Sequence, residues 1–224
     1  MHASRLDPTI TVHDRVQWSL TALLLAGAIV LGGAQGGQGI AGSLICQLLA
    51  VLLLAWLVLR WQWWGSMHAL PGRWGWMLLV PLLLPLLQLL PMPMALWQQV
   101  VPRHALSAGM TEAGAGLQAQ WSLVPFATEQ ALWAMLPALA LAASVLWTPV
   151  KQQRQMLLLL LGLAVLSLLW GIVQRAQGPF NALRLYSFTN QTDATGFFAN
   201  RNHLASLLLM ALPFAMVAAA WLTT

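Results

Sequence analysis

The residues best suited to chemistry lie in one stretch near the C-terminal end, residues 175–203. This stretch contains three arginines, one aspartate and one histidine: Arg175, Arg184, Asp193, Arg201 and His203. Guanidinium groups bind phosphate through paired, charge-assisted hydrogen bonds. Three arginines against a single carboxylate therefore predict an anionic partner for this stretch.

The last residues of this stretch lead directly into a long apolar run. Asn200 is a favourable N-cap there, because its side-chain oxygen can accept a free backbone N–H group. A helix N-terminus also carries partial positive charge and unpaired N–H donors. Two groups of site residues are therefore predicted. The phosphate-binding residues are Arg201, Arg184 and Arg175, and the supporting residues are Asn200, Asn202 and His203.

A simpler interpretation stays open for each of these residues. Arginine and asparagine at a membrane boundary also meet lipid headgroups or water, and Arg201 is long enough to snorkel to the interface. His203 would then hydrogen-bond a neighbouring helix, and Asp193 would be a solvated loop acid.

The composition of the whole chain indicates the solvent in which these residues act. The 224 residues include 10 basic and 5 acidic side chains, and 59% are hydrophobic. Charged residues make up 7% of the chain, against roughly 25% in a soluble domain, so the chain is predicted to be an integral membrane protein. Its net charge of +5 does not indicate nucleic acid, because the cations are spread along the chain rather than clustered on one face.

Long uncharged runs predict the membrane spans. Arg15 and Arg60 enclose one such run, which a glycine-rich break at 32–39 divides in two. A spanning helix needs about 20 apolar residues. The sequence therefore predicts an all-α, polytopic membrane fold with about six transmembrane helices, near 16–34, 40–59, 74–97, 130–148, 156–174 and 203–222. Four prolines predict a kinked or unwound outer half of the third helix: Pro81, Pro85, Pro91 and Pro93.

The distribution of basic residues predicts the orientation. Loops 60–73 and 149–155 carry arginine or lysine and no acid, which is typical of cytoplasmic loops. The predicted organisation is a cytoplasmic N-terminal segment at 1–15 and one helical transmembrane domain at 16–224. Its outer loops are 98–129 and 175–202. An alternative for the first run is a cleaved signal peptide, because the small residues at 32–34 resemble a cleavage site.

Other patterns carry less weight. Gly37-Gln-Gly39-Ile-Ala-Gly42 matches G-x-G-x-x-G but lacks the preceding strand and the following acidic residue that a dinucleotide site needs. The isolated histidines and the single cysteine, Cys46, have no metal-ligand spacing, and Cys46 is interpreted as a packing residue. We therefore expect no metal, no cofactor and no nucleic acid. Asn190-Gln-Thr192 fits a glycosylation sequon whose use depends on the organism.

The end of the arginine-rich stretch also resembles a family signature. Thr195-Gly-Phe-Phe-Ala-Asn-Arg-Asn-His-Leu-Ala205 is similar to the G-x-F-x-N-R-N-H-x-A signature of the O-antigen ligase/polymerase family, and the stretch Trp121–Pro125 fits the same family. The resemblance implies a metal-independent glycosyltransferase of lipopolysaccharide and polysaccharide biosynthesis. Such a protein lies in the bacterial inner membrane, among membrane lipids, with its outer loops in the periplasm.

The reaction implied by the resemblance is glycan transfer. The donor would be a glycan on undecaprenyl diphosphate, and the acceptor would be lipid A–core or another repeat unit. Periplasmic arginines bind the diphosphate in this family, and Arg201 occupies the matching motif position. Arg184 and Arg175 are added to the diphosphate site on the basis of their charge and location alone.

The chain also departs from the family, whose members have roughly double the number of helices and a large periplasmic loop in the C-terminal half. We therefore expect an N-terminal part of a longer protein, or a truncated gene product. The catalytic base is unknown, since only His203 and Asp193 are eligible. The alternative functions are a transporter or permease subunit, which usually needs an ionisable residue within its spans, and a non-catalytic membrane scaffold of envelope polysaccharide export.

Overall fold

The chain is built from seven helices in the part that a computed structural model describes, residues 12–33, 39–64, 75–99, 119–222 and positions 103, 106, 108, 109 and 112. The helices are α1 Val12–Leu31, α2 Ile40–Trp64, α3 Gly75–Gln88, α4 Met94–Gln99, α5 Pro125–Leu146, α6 Val150–Ala176 and α7 Arg201–Leu222. These residues contain no β-strand beyond one isolated bridge between Pro91 and Gln120. The predicted all-α fold is therefore confirmed.

Five of the helices are long and apolar enough to span a membrane: α1, α2, α5, α6 and α7. Their bounds differ from the predicted spans mainly at the N-terminal ends. Helix α1 begins at Val12, so Asp14 belongs to the first helix and not to a segment before it. Helix α6 begins at Val150, six residues before the predicted start. Residues 1–11 of the predicted segment 1–15, and most of residues 100–118 in the predicted loop 98–129, lie outside the described residues.

The third predicted span is the one that the structure changes. The sequence predicts a single helix over 74–97, but α3 ends at Gln88 after 14 residues. At about 1.5 Å per residue it is roughly 21 Å long, which is shorter than the hydrocarbon core of a bilayer at about 30 Å. Proline lacks the N–H that would continue the helix, and Pro91 and Pro93 follow within five residues.

The segment 119–122 forms backbone hydrogen bonds with the last residue of α3 and with the residues that follow it. The N–H of Ser122 donates to the carbonyl of Gln88 at 2.7 Å, and the N–H of Met92 donates to the carbonyl of Ala119 at 2.8 Å. Arg103 continues this pattern, because its Nη2 donates to the carbonyl of Trp121 at 2.6 Å. These contacts belong to one of two compact units in the chain, residues 69–136.

The other unit comprises residues 1–68 and 137–224. In it, α1 and α2 form an antiparallel hairpin whose open end is closed by an ion pair. Arg60 Nη2 lies 2.5 Å from Asp14 Oδ1, and Arg60 Nη1 donates to Gln17 Oε1. Asp14 is buried, with 8% of its surface exposed. We refer to this end of the unit as the Asp14 end.

Helices α5 and α6 join the polar network at the Asp14 end. Gln17 Nε2 donates to the carbonyl of Ser144 at 3.1 Å and to Thr148 Oγ1 at 3.0 Å. Gln152 Nε2 donates to the Asp14 carbonyl at 3.2 Å. Four helices therefore meet through buried polar groups. In lipid there is no hydrophobic driving force between helices, so such hydrogen bonds help to hold them together.

The opposite end of this unit is covered by the loop 177–200 between α6 and α7. An apolar cluster lies beneath it, formed by Ile29 of α1, Ala164 of α6, Phe197 of the loop, and Leu207 and Ala211 of α7. The loop also meets the end of α1, where the N–H of Ala199 donates to the Gly33 carbonyl at 2.9 Å. The loop that carries Arg184 and Asn200 is therefore packed onto the helices, whereas Arg175 belongs to α6 and the other predicted site residues belong to α7.

Candidate functional site

The three predicted arginines converge on one residue of the loop, Asp193. Arg201 Nη1 donates to Asp193 Oδ2 at 2.9 Å. Arg175 Nη1 lies 4.0 Å from Asp193 Oδ1 and donates to the carbonyl of Thr192 at 2.6 Å. Arg184 Nη1 donates to the Asp193 carbonyl oxygen at 3.1 Å. The structure thus brings together residues that are up to 26 positions apart in the sequence.

The surroundings of Asp193 differ from those that the sequence predicts. A solvated loop acid is predicted there, but only 27% of the side chain is exposed and both carboxylate oxygens face arginines. Two guanidinium groups face the Asp193 carboxylate and that of Arg184 bonds its main-chain carbonyl, so three positive charges meet one negative charge and two are in excess. Because Arg175 and Arg201 keep 66% and 61% of their side chains exposed, this excess charge is accessible from outside.

Arg184 is the most enclosed of the three. Its Nη1 donates to the Asn190 carbonyl at 2.6 Å as well as to Asp193. Its Nε and Nη2 atoms are buried and have no hydrogen-bond partner among the described residues. A buried donor without a partner costs free energy, and the cost is larger on a charged group. An acceptor that bonds the Nε and Nη2 groups of Arg184 would therefore stabilise the loop.

The N-terminus of α7 is capped by the protein itself. Asn200 Oδ1 accepts the N–H of Asn202 at 2.9 Å, as expected of an N-cap residue. Asn190 Oδ1 accepts the N–H of Arg201 at 3.0 Å, and the N–H of His203 donates to the Asn200 carbonyl at 3.0 Å. The first three N–H groups are therefore engaged, and the prediction that they are unpaired phosphate donors is wrong.

The remaining supporting residues lie on the exposed first turn of α7. The ring of His203 packs edge-on against Phe198, with centroids 6.1 Å apart. Within the described part of the chain, the side chains of His203 and Asn202 form no hydrogen bond with the three arginines. Asn200 and Asn190 fix the start of the helix, so their contribution to Arg201 is positional.

A buried glutamine that the sequence interpretation missed holds the loop in place. Gln174 of α6 is fully buried. Its Oε1 accepts the N–H groups of Thr195 and Gly196 at 3.3 and 3.0 Å, and its Nε2 donates to the carbonyls of Leu183 and Gly196 at 3.0 and 2.9 Å. The available signal was an amide side chain at the end of an apolar run, directly before Arg175.

The glycine of the signature segment is required by close packing against α6. Gly196 has φ +61, in the left-handed region that favours glycine. A Cβ at this position would lie 2.3 Å from Ser167 Oγ, while Ser167 Oγ accepts the N–H of Phe197 at 3.2 Å. The segment 195–197 therefore has a local structural role beneath the arginines.

Tyr186 connects the loop to the end of α1. Its hydroxyl donates to the Val30 carbonyl at 3.4 Å. Burial raises the pKa of the Tyr186 phenol above its ordinary value of about 10. The neutral hydroxyl is therefore the form that the folded loop favours.

Comparison of the chain with protein-family models, with curated proteins and with solved structures finds no match. The site must therefore be interpreted from its own geometry. Within the described ranges, no three His, Cys, Asp or Glu side chains are placed to hold a metal ion together. What the arrangement offers chemically is positive charge and guanidinium donors for an anion at the end of a membrane-spanning helix unit.

Proposed function

We propose that this chain is a component of lipid-linked glycan transfer that resembles the O-antigen ligase/polymerase family. In this proposal Arg184, Arg201 and Arg175 bind the diphosphate of an undecaprenyl diphosphate-linked glycan. The observation that carries the proposal is the convergence of three arginines on Asp193, with two buried N–H donors of Arg184 unused. The acceptor would be lipid A–core or another repeat unit.

The charge and the position of the site both support a lipid-linked diphosphate. A diphosphate diester carries two negative charges, which equals the excess positive charge of three arginines and one aspartate. The site lies at the ends of α1, α6 and α7, where a lipid anchored in the bilayer presents its headgroup. Arginines there would also stabilise the negative charge that develops on the leaving diphosphate as the acceptor hydroxyl attacks the anomeric carbon.

The catalytic base is a separate question, and the proposal assigns none. Asp193 is a poor candidate, because arginines already engage both of its carboxylate oxygens. His203 lies against Phe198 on the exposed turn of α7. The arginine cluster therefore accounts for donor binding, and the chemistry of the acceptor needs further groups.

The proposal includes an orientation in the bacterial inner membrane. The Asp14–Arg60 pair and the loop 177–200 lie at opposite ends of the same unit. Placing the Asp14 end in the cytoplasm puts the loop in the periplasm, in keeping with the basic cytoplasmic loops. A periplasmic reporter fused at residue 190 should be active, and a cytoplasmic reporter at that position should be silent.

The ion pair between Asp14 and Arg60 lies within the described spanning helices. It gives little support to the permease alternative. Asp14 lies in the first turn of α1 and is bonded to Arg60, and Gln152 bonds its carbonyl. Coupling residues within membranes face a pathway or cavity, whereas this pair joins helices. A non-catalytic scaffold, for its part, does not need an excess of arginines at a lipid-accessible end.

Donor binding by the purified chain in nanodiscs tests the proposal. We expect undecaprenyl diphosphate glycan to bind, and Arg201→Ala to weaken binding by about ten- to a hundredfold, since a hydrogen bond to a charged group is worth about 1.5–3 kcal/mol. Arg201→Lys should restore only part of the affinity, because an ammonium lacks the planar fork.

The matched control is Arg154→Ala, which removes an exposed arginine that stacks 4.8 Å above the Trp221 ring centre at the Asp14 end. It should leave donor affinity unchanged. Equal losses in Arg154→Ala and Arg201→Ala would indicate a non-specific charge effect and would contradict the proposed site.

A further inference from the structure

Asp193 occupies the position that an anionic ligand would take between two arginines. Its Oδ2 accepts Arg201 Nη1 at 2.9 Å, and its Oδ1 faces Arg175 Nη1 at 4.0 Å. We propose that Asp193 is a built-in competitor that sets the anion specificity of the site. The inference rests on the proposed function and extends it by naming the residue that decides which anions enter.

The three arginines differ in how firmly they are held. Arg184 is part-buried and bonded to two backbone carbonyls, Asn190 and Asp193, so its guanidinium has a fixed position. Arg201 and Arg175 are mostly exposed, and ion pairs between exposed groups contribute little to stability. Arg184 therefore forms a fixed half of the site, while Arg201 and Arg175 can exchange the Asp193 carboxylate for a better ligand.

The Asp193 carboxylate stays beside the arginines, because the backbone around it is held. Arg184 Nη1 donates to the carbonyls of Asn190 and Asp193, and the N–H of Thr195 donates to the buried Gln174. Any anion must therefore outcompete a carboxylate that stays nearby. The competition is decided by the number of charges and acceptor oxygens that the ligand presents.

This competition separates two kinds of phosphate found at a membrane surface. A phospholipid headgroup such as phosphatidylglycerol presents one phosphodiester with one negative charge, the same charge as the Asp193 carboxylate. A lipid-linked diphosphate presents two charges, with oxygens to reach Arg184 and the exposed arginines together. Asp193 therefore excludes abundant monoanionic headgroups and admits the diphosphate class.

The test uses Asp193→Asn, which removes the charge at nearly constant shape, and inorganic pyrophosphate as the probe. Pyrophosphate is titrated into the chain in nanodiscs of neutral phosphatidylcholine and again in nanodiscs containing phosphatidylglycerol. In the neutral nanodiscs, we expect Asp193→Asn to bind pyrophosphate about fivefold tighter than the wild type. With phosphatidylglycerol, the variant should lose more affinity than the wild type, because headgroups then occupy the freed arginines.

Two further variants make the result specific. Asp193→Glu keeps the charge and should behave like the wild type in both lipids. In an Arg201→Ala background, Asp193→Asn should lose most of its gain in pyrophosphate affinity, because that gain comes from freeing the Arg201 guanidinium. A variant that had merely disturbed the loop would bind more weakly in both lipids, and that result would overturn the inference.

The outcomes also separate this inference from the proposed function. In one outcome, the wild type and Asp193→Asn bind pyrophosphate with the same affinity and the same sensitivity to phosphatidylglycerol. That result would overturn the competitor role of Asp193 and would leave the arginine site unaffected. No pyrophosphate binding by the wild type, Asp193→Asn or Asp193→Glu would overturn the anion site and the competitor together.

Discussion

Gln174 and Gly196 bond each other in both directions: the Gly196 N–H donates to Gln174 Oε1 at 3.0 Å, and Gln174 Nε2 donates to the Gly196 carbonyl at 2.9 Å. One buried side chain on α6 thus satisfies both backbone groups of a loop residue. Because Arg184 and Asp193 lie in the same loop and Arg201 follows it, this exchange positions the proposed anion site.

Replacing Gln174 by leucine should release the loop. The substitution leaves the N–H groups of Thr195 and Gly196 and the Gly196 carbonyl without their partner, at about 1–3 kcal/mol for each buried group. We expect faster hydrogen exchange at residues 195–196 and proteolytic cleavage within 177–200, while the helices stay inserted. Gln155→Leu, at an exposed position of the same helix, is the control. Unchanged exchange in Gln174→Leu would contradict the anchoring role.

Gly196→Ala should destabilise the same loop through sterics. A left-handed conformation costs a non-glycine residue about 1–2 kcal/mol, and the new Cβ would lie 2.3 Å from Ser167 Oγ. We expect a lower thermal unfolding midpoint in detergent and weaker pyrophosphate binding. Gly162→Ala is the matched control in α6, because a Cβ added there would point into open space, and it should keep or raise stability. A variant Gly196→Ala as stable as Gly162→Ala would contradict the packing argument.

Separating Asp14 from Arg60 should weaken the assembly of the helices at the Asp14 end. Removing one member of a buried ion pair leaves the other charge without compensation, at about 3–5 kcal/mol in a fully buried site. Because part of Arg60 is exposed, we expect a smaller loss for Asp14→Asn or Arg60→Gln. The double variant should recover part of the loss, as measured by unfolding in mixed micelles.

The exposed neighbour Arg15 supplies the control for this pair. Arg15→Gln should leave the unfolding midpoint unchanged. If the two single variants and the double variant unfold with additive losses, the two side chains do not couple, and the ion pair contributes nothing to assembly.

Stability should also fall at alkaline pH because of Tyr186. Burial raises its pKa in the folded chain, so the folded state keeps the phenolic proton where the unfolded state loses it. The corresponding stability is complete below about pH 10 and is lost as the pH rises above that value. Tyr186 is the single tyrosine of the chain, so tyrosinate absorbance reports its titration directly. Titration at or below pH 10, or an alkaline loss that persists in Tyr186→Phe, would contradict this assignment.

The amino-acid sequence by itself was enough for the class of protein and the charge of the site. Apolar runs between sparse charges require helices in a bilayer, because every backbone N–H and C=O group must be bonded within its own segment. Arg175, Arg184 and Arg201 are close along the chain, so a local excess of positive charge follows from the sequence alone. The N-cap role of Asn200 is likewise local.

Tertiary structure decided which groups at the site are available. The engagement of Asp193 by Arg201 and Arg175, the capping of Arg201 by Asn190 and the burial of Arg184 depend on how the loop folds back over α6 and α1. Asp14 precedes the first predicted span in the sequence, and only the fold places Arg60, 46 residues away, beside it. Periodicity and composition describe one segment at a time, whereas hydrogen bonds between distant segments determine which donors are already used and which remain free for a ligand.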